Sequence, residues 1–164
     1  MNREALLAAA QDLKPWIVDL RRCLHRNPEL GLQEFETADA IEGWLQELGI
    51  EHQRKGTAVV GLLRGGKPGK TVALRADIDA LPIHEEGHDD YRSKKDGLMH
   101  ACGHDAHTAI LLGAARLLTE RRAELAGNVK LLFQPAEETD GGAETMIRDG
   151  CLENPTVDRV YGLH

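Results

Sequence analysis

The residues best equipped for chemistry crowd into one short segment, His100-Ala101-Cys102-Gly103-His104-Asp105-Ala106-His107. A thiolate and an imidazole two positions apart can hold one ion when the chain between them is extended or turned, and Gly103 permits the turn. A lone cysteine there would read as a buried core residue beside surface histidines. Three histidines and a cysteine within eight residues, next to a helix start whose dipole favours a thiolate, read instead as a metal site.

Three more polar groups carry similar chemistry. Gln134-Pro135-Ala136-Glu137-Glu138 sets adjacent carboxylates directly after the apolar run Val129 to Phe133. Alone, such a pair is usually a solvated face. At a strand end, one carboxylate can hold a cation while its neighbour acts as a base toward a water. Leu74 to Pro82 places Asp77 and Asp79 at alternate positions; a ligand, a residue that orients a ligand, and a turn cap all remain open, and Arg75 is a ready partner for either. His164 follows the last apolar run. His84 and His88 fall in a polar loop and read as solvated, while His25 and His52 have no chemically suggestive neighbours.

Positioning these groups requires alternating elements. Leu6, Leu7, Leu13, Ile17, Leu20 and Leu24 recur at helical spacing over Glu4 to Arg26, with Pro15 dividing the run and Pro28 ending it. A second helix is expected over Glu34 to Leu48, closed by Gly49. Short β-prone runs follow at Ile50 to Arg54, Thr57 to Leu63 and Thr71 to Ala76, the last two separated by Gly65 to Gly69, which has the composition of a hairpin turn. Leu81 to Leu98 reads as a long polar loop, of the length that is usually functional or mobile. Then come a helix over Asp105 to Leu118 with Asp105 as its cap, the strand Val129 to Phe133, a short helix at Ala143 to Arg148, and a strand near Val157 to Leu163. Strand alternating with helix predicts an α/β domain, three layers α-β-α with a mainly parallel central sheet, whose ligands bind at the strand ends.

Composition narrows the function classes. The 164 residues carry 20 Lys+Arg against 27 Asp+Glu, a formal net charge of −7, with no basic stripe interleaved with aromatics, which argues against a nucleic-acid partner. No apolar run approaches the roughly 18 residues of a membrane span. The odd, widely spaced set Cys23, Cys102 and Cys151 suggests reduced thiols, and the N-terminus lacks signal-peptide features, so a cytoplasmic location is expected.

Four segments together, Leu74 to Ile83, Met99 to Ala109, Gln134 to Glu138 and Gly162-Leu163-His164, resemble the successive signatures of the metal-dependent amidohydrolases that include hippurate hydrolase, N-acyl-L-amino-acid amidohydrolases and the plant auxin-conjugate hydrolases. His25-Arg26-Asn27-Pro28-Glu29-Leu30 with Glu34 is similar to their N-terminal segment. The resemblance implies a site for two divalent ions of the Zn, Mn, Co or Ni kind, with Cys102 bridging them, His104 and His164 ligating one, and Glu138 ligating the other. It further implies Glu137 as general base and Asp79 as a residue supporting the ligands. A histidine stands at the place of Asp77 in related peptidases; the resemblance gives that role to His104 here and leaves Asp77 outside the ligand set. Members run to more than twice this length, with an inserted lid and dimerisation domain and a final metal-binding histidine. Residues 1–164 therefore resemble the N-terminal part of a dinuclear metallopeptidase-type catalytic domain, and a homo-oligomer is expected of the full-length protein. The implied reaction is hydrolysis of the amide bond of a small N-acyl or N-aroyl amino acid. A metal-binding module without catalysis and a small-peptide aminopeptidase or carboxypeptidase are the alternatives.

Overall fold

The computed structural model describes residues 2–139 and 141–164. Proline chemistry divides the first helical run into α1 (Arg3–Asp12) and α2 (Lys14–Arg26), because Pro15 sits in the first turn of α2, where its missing N–H removes no intrahelical bond. The chain continues through α3 (Phe35–Glu47), β1 (Glu51–Lys55), β2 (Ala58–Arg64), β3 (Lys67–Asp77), α4 (His104–Thr119), β4 (Ala126–Gln134), α5 (Gly142–Arg148) and β5 (Arg159–Gly162). Among the described residues no helix is long and apolar enough to cross a membrane.

The five strands form one sheet in the order β1-β2-β4-β3-β5. The pairs β3–β4 and β3–β5 are parallel; β1–β2 and β2–β4 are antiparallel. The α/β class stands, but the sheet is mixed where a mainly parallel one is expected, because β1 and β2 form a tight hairpin that pairs Lys55 with Ala58 and presents β2 antiparallel to β4.

The expected hairpin at Gly65 to Gly69 does not form. β4 inserts between β2 and β3, and the glycine segment bonds to the chain around the start of β4: the N–H groups of Gly65, Gly66 and Lys67 donate to the carbonyls of Gly127, Arg122 and Leu125 at 2.9, 2.8 and 3.0 Å. Donors satisfied by a distant segment need no local turn bond.

Alternation along the strands divides the core between two faces. Val59, Leu63, Ala76, Val129, Leu131 and Phe133 pack with Leu20 of α2, Ala38, Ile41 and Leu45 of α3, and Ala109, Leu112 and Ala115 of α4. A smaller cluster of Ala58, Ala73 and Leu132 meets Met146 of α5 and Cys151 on the other face.

Phe133 is fully buried at the end of β4, directly before the segment that turns into the site. Phe133→Ala should lower unfolding stability by about 3–5 kcal/mol in denaturant titration. A loss below about 1 kcal/mol would contradict the central packing of this ring.

Candidate metal centre

β3 and β4 run parallel and finish side by side, with Asp77 paired to Gln134. β5 runs parallel to β3 on its other side and ends at Gly162, two residues before His164. The polar clusters therefore gather at the carboxyl ends of parallel strands, where open α/β sheets bind ligands.

α4 starts there as well. Its N-cap is Gly103, at φ 91°, a left-handed conformation suited to glycine, and not the expected Asp105. Asp105 is the second residue of the helix, with Oδ1 accepting from the N–H of Ala106 and Oδ2 turned away toward α2. This start buries His104 almost completely. His104 Nδ1 lies 2.9 Å from the carbonyl of Asp79 and 3.1 Å from its Oδ1. Two acceptors at one nitrogen keep a proton on Nδ1, so Nε2 is the nitrogen open to a ligand. That Nε2 is buried and has no hydrogen-bond partner. Around it stand Asp77 Oδ2 at 3.6 Å, Glu138 Oε1 at 3.8 Å and Glu137 Oε2 at 3.9 Å. A buried ring nitrogen without a hydrogen-bond partner, facing three carboxylates, is an arrangement that a divalent cation would satisfy in place of a proton, and the residues present fit such an ion.

The donors fall into two overlapping groups whose ligand atoms lie within 4.8 Å of one another: Cys102, His104 and Glu138, and Asp77, His104, Glu137 and His164. Of the residues singled out in the sequence, Cys102 and Glu138 thus share a group with His104, while His164 joins His104 through the other. Asp79 lies behind His104, its Oδ2 accepting the N–H of Glu138 at 3.0 Å. Asp77 stands within the second group but is heavily engaged. Oδ1 accepts from His107 Nδ1 at 2.7 Å and Oδ2 from Arg75 Nη1 at 2.8 Å, with His164 Nδ1 at 3.4 Å. Arg75 also donates to the side chain of Gln134, which ties the ends of β3 and β4 together.

Proton affinities reflect this crowding. Partial burial, then the hydrogen bond and charge of Glu138, then Asp77 and Glu137, push the Cys102 thiol up to about 11. Burial and these carboxylates thus work against the thiolate that a helix start alone would favour. Burial pushes the acids the other way from their partners, and the partners win. Asp77 is held below the usual carboxylate range by His107, His104 and Arg75, and Asp79 by His104 and the N–H groups of Glu138 and Glu137. His104 is raised for the same reason, its burial outweighed by Asp79 and Asp77.

The sequence names several further residues without showing that they are buried or what they meet. His25 is buried at the end of α2, with Nδ1 2.7 Å from Asp105 Oδ2 and Nε2 3.2 Å from Glu85 Oε1, and Arg21 also donates to Asp105 Oδ2. This chain of contacts pins the polar loop to α2 and α4. A signal existed, since His25 lies four positions after Arg21 and eight after Ile17, on the face of α2 that turns inward. His100 is buried with both ring nitrogens unpartnered, and burial lowers it to about 4. Glu29 and Glu34 are buried too. His84 is exposed and pairs with Asp96, as a solvated histidine should.

An α/β sheet that gathers cation donors at the ends of its parallel strands gives the chain a candidate metal site in the usual ligand position of such sheets. The family model described as Peptidase family M20/M25/M40 matches residues 73–164, and the chain belongs to that family. Thermostable carboxypeptidase 2 of Saccharolobus solfataricus is 47% identical over 166 residues, covering 98% of this chain and 42% of that protein. The N-acyl-L-amino acid amidohydrolase of Geobacillus stearothermophilus is 44% identical over 167 residues, 100% of this chain and 45% of that one. The crystal structure of the Bacillus subtilis YXEP protein, described as a dinuclear metal binding peptidase from the M20 family, matches with a TM-score of 0.89 at 44% identity, covering 94% of this chain and 43% of that one. The chain spans less than half the length of these relatives.

A cation taken up by this site competes with protons at Cys102 and His104, both of which hold theirs more firmly than usual. Zn²⁺ affinity should therefore rise with pH, by about one decade in Kd per pH unit for each proton displaced. Calorimetry in buffers of differing ionisation enthalpy should show proton release. An affinity flat between about pH 6 and 8 would exclude Cys102 and His104 as ligands.

Proposed function

We propose that this protein is a cytoplasmic amidohydrolase that cleaves the amide bond of small N-acyl or N-aroyl amino acids of the hippurate kind, as a homo-oligomer in its complete form. The observation that carries the reading is the buried, unpartnered Nε2 of His104 among the carboxylates of Asp77, Glu137 and Glu138. The relative named N-acyl-L-amino acid amidohydrolase supports the substrate class.

In this reading Cys102, His104, Glu138 and His164 would hold two divalent ions, with His104 the residue common to the two donor groups that the structure forms. When bound, divalent ions of the Zn, Mn, Co or Ni kind polarise the amide carbonyl and lower the pKa of a water. Glu137 is the base: its carboxylate takes the proton of the attacking water, holds it on Oε1 or Oε2, and passes it to the departing amine. It is about a quarter exposed, open enough to meet a substrate while its Oε2 stays 3.9 Å from His104 Nε2. Asp79 keeps the His104 proton on Nδ1 and, by accepting the N–H of Glu138, fixes where the two glutamates begin. Arg75 and His107 hold Asp77 in place, and the Arg75 guanidinium offsets part of its negative charge.

Hydrolysis of hippurate, N-acetyl amino acids and dipeptides by the protein loaded with each metal tests the proposal. Cleavage of the acylated substrates is expected of the full-length protein, and little or none of residues 1–164 alone. Cleavage of dipeptides alone would transfer the chain to the activity named for its carboxypeptidase relative, and metal binding without any turnover would reduce it to a binding module. Glu137→Gln should lower kcat by about 10²–10⁴-fold at near-normal metal content, because it removes a base and not a ligand. Glu138→Gln should lower metal content itself. Equal metal loss in the two variants would show the roles to be exchanged or wrong.

A further inference from the structure

The turn that carries Glu137 and Glu138 away from β4 is built on an awkward residue. Ala136 has φ 49°, in the left-handed region where an L side chain crowds its own backbone, and it is 1% exposed. Its N–H donates to Glu34 Oε1 at 2.9 Å, across 102 positions of sequence. Glu34 is fully buried, and its other oxygen, Oε2, has no hydrogen-bond partner. A half-satisfied carboxylate destabilises the core around it. What it supplies is a buried acceptor for one N–H; burial pushes its pKa up, against the opposing pull of Thr57 and of that N–H.

Glu34 is itself firmly held. The Glu29 carboxylate accepts the N–H of Glu36 at 3.2 Å and both the N–H and the hydroxyl of Thr37 at 2.8 Å, which fixes the start of α3 just beyond Glu34. The Glu29 carbonyl accepts the N–H of Ala80 at 2.8 Å, one residue past Asp79. Gly31 lets this segment press on the turn, since a Cβ there would stand 3.1 Å from Ala136 Cα and 2.7 Å from Thr139 Oγ1. The end of β3 grips the turn on both sides of Ala136: Ile78 N–H donates to the Gln134 carbonyl and Glu138 N–H to Asp79 Oδ2, each at 3.0 Å.

We propose that Glu34 is a positioning residue of the site, holding Ala136 in its left-handed conformation and so setting the direction in which Glu137 and Glu138 leave β4 toward His104. The proposal rests on the reading of Glu137 and Glu138 as base and ligand given above. A residue with a purely structural role would change the thermal midpoint and leave the Zn²⁺ affinity of the folded chain untouched.

Glu34→Leu removes the acceptor at similar volume, and Glu34→Gln keeps an acceptor oxygen. In the full chain, Zn²⁺ affinity is read by competition with a chromophoric chelator, and the Ala136 amide by hydrogen exchange. Glu34→Leu should weaken Zn²⁺ binding and speed Ala136 exchange, each by about tenfold or more, with a near-unchanged thermal midpoint. Glu34→Gln should stay within about threefold of the parent in both. Adding Ala136→Gly to Glu34→Leu removes the Cβ penalty and should recover part of the Zn²⁺ affinity. Unchanged Zn²⁺ affinity in Glu34→Leu, while a parallel Glu138→Gln weakens it, overturns the positioning role and leaves the site reading intact. Unchanged affinity in Glu138→Gln overturns the site reading, and Ala136 exchange then decides the role of Glu34. If Glu34→Leu fails to fold, Glu34→Asp replaces it: the shortened carboxylate should weaken Zn²⁺ binding where Glu34→Gln does not, and equal behaviour of the two overturns the proposal.

Discussion

One buried carboxylate joins three parts of the chain that are far apart in sequence. Asp79, just past the end of β3, meets His104 Nδ1 of α4 through Oδ1 and its own carbonyl, and accepts the N–H of Glu138 beyond β4 through Oδ2. Each contact fixes something different: the imidazole proton on Nδ1, the direction of the ring's free nitrogen, and the place where the paired glutamates begin. Because Asp79 is 1% exposed, little water competes for these bonds, and its ionised form persists through the charge and N–H donors around it.

The same arrangement concentrates negative charge. Asp77, Asp79, Glu137 and Glu138 surround a single imidazole in a chain already at −7. Arg75 pairs with Asp77, while His107 and His164 stand beside its carboxylate and His164 also lies 3.7 Å from Glu137. Like charges held at these distances favour whatever cation can lie among them, so occupancy of the site and stability of the strand ends are linked by mass action.

Local signals made much of this legible. Pro15 and Gly49 punctuate the helices where the sequence suggests, and strand boundaries fall within a few residues of the apolar runs. The density of His100, Cys102, His104 and His107 marked the region, although only Cys102 and His104 stand in the donor groups, while His107 holds Asp77 and His100 is buried beside them. Pairing was hidden, since nothing local in Gly65 to Gly69 tells that the next strand in space lies beyond α4. Glu34 was hidden for a similar reason: an acid just ahead of a helix reads as a cap, yet its partner is Ala136 and the capping is done by Glu29. Partners separated by a hundred positions leave no periodicity to read.

The strand order also governs how the chain must be assembled in time. β2 and β3 follow one another closely in sequence but are kept apart in the sheet by β4, so Val59 finds Phe133 only after about 70 further residues have emerged. Until then both strands flank an open slot, with apolar side chains and unpaired N–H and C=O groups exposed to any extended segment nearby. Closing that slot is the costly long-loop step of folding, and the segment that closes it ends in Gln134, immediately before the paired glutamates. The order of synthesis thus makes the donor cluster one of the last features to come together, and an intermediate lacking β4 has a sheet edge but no site.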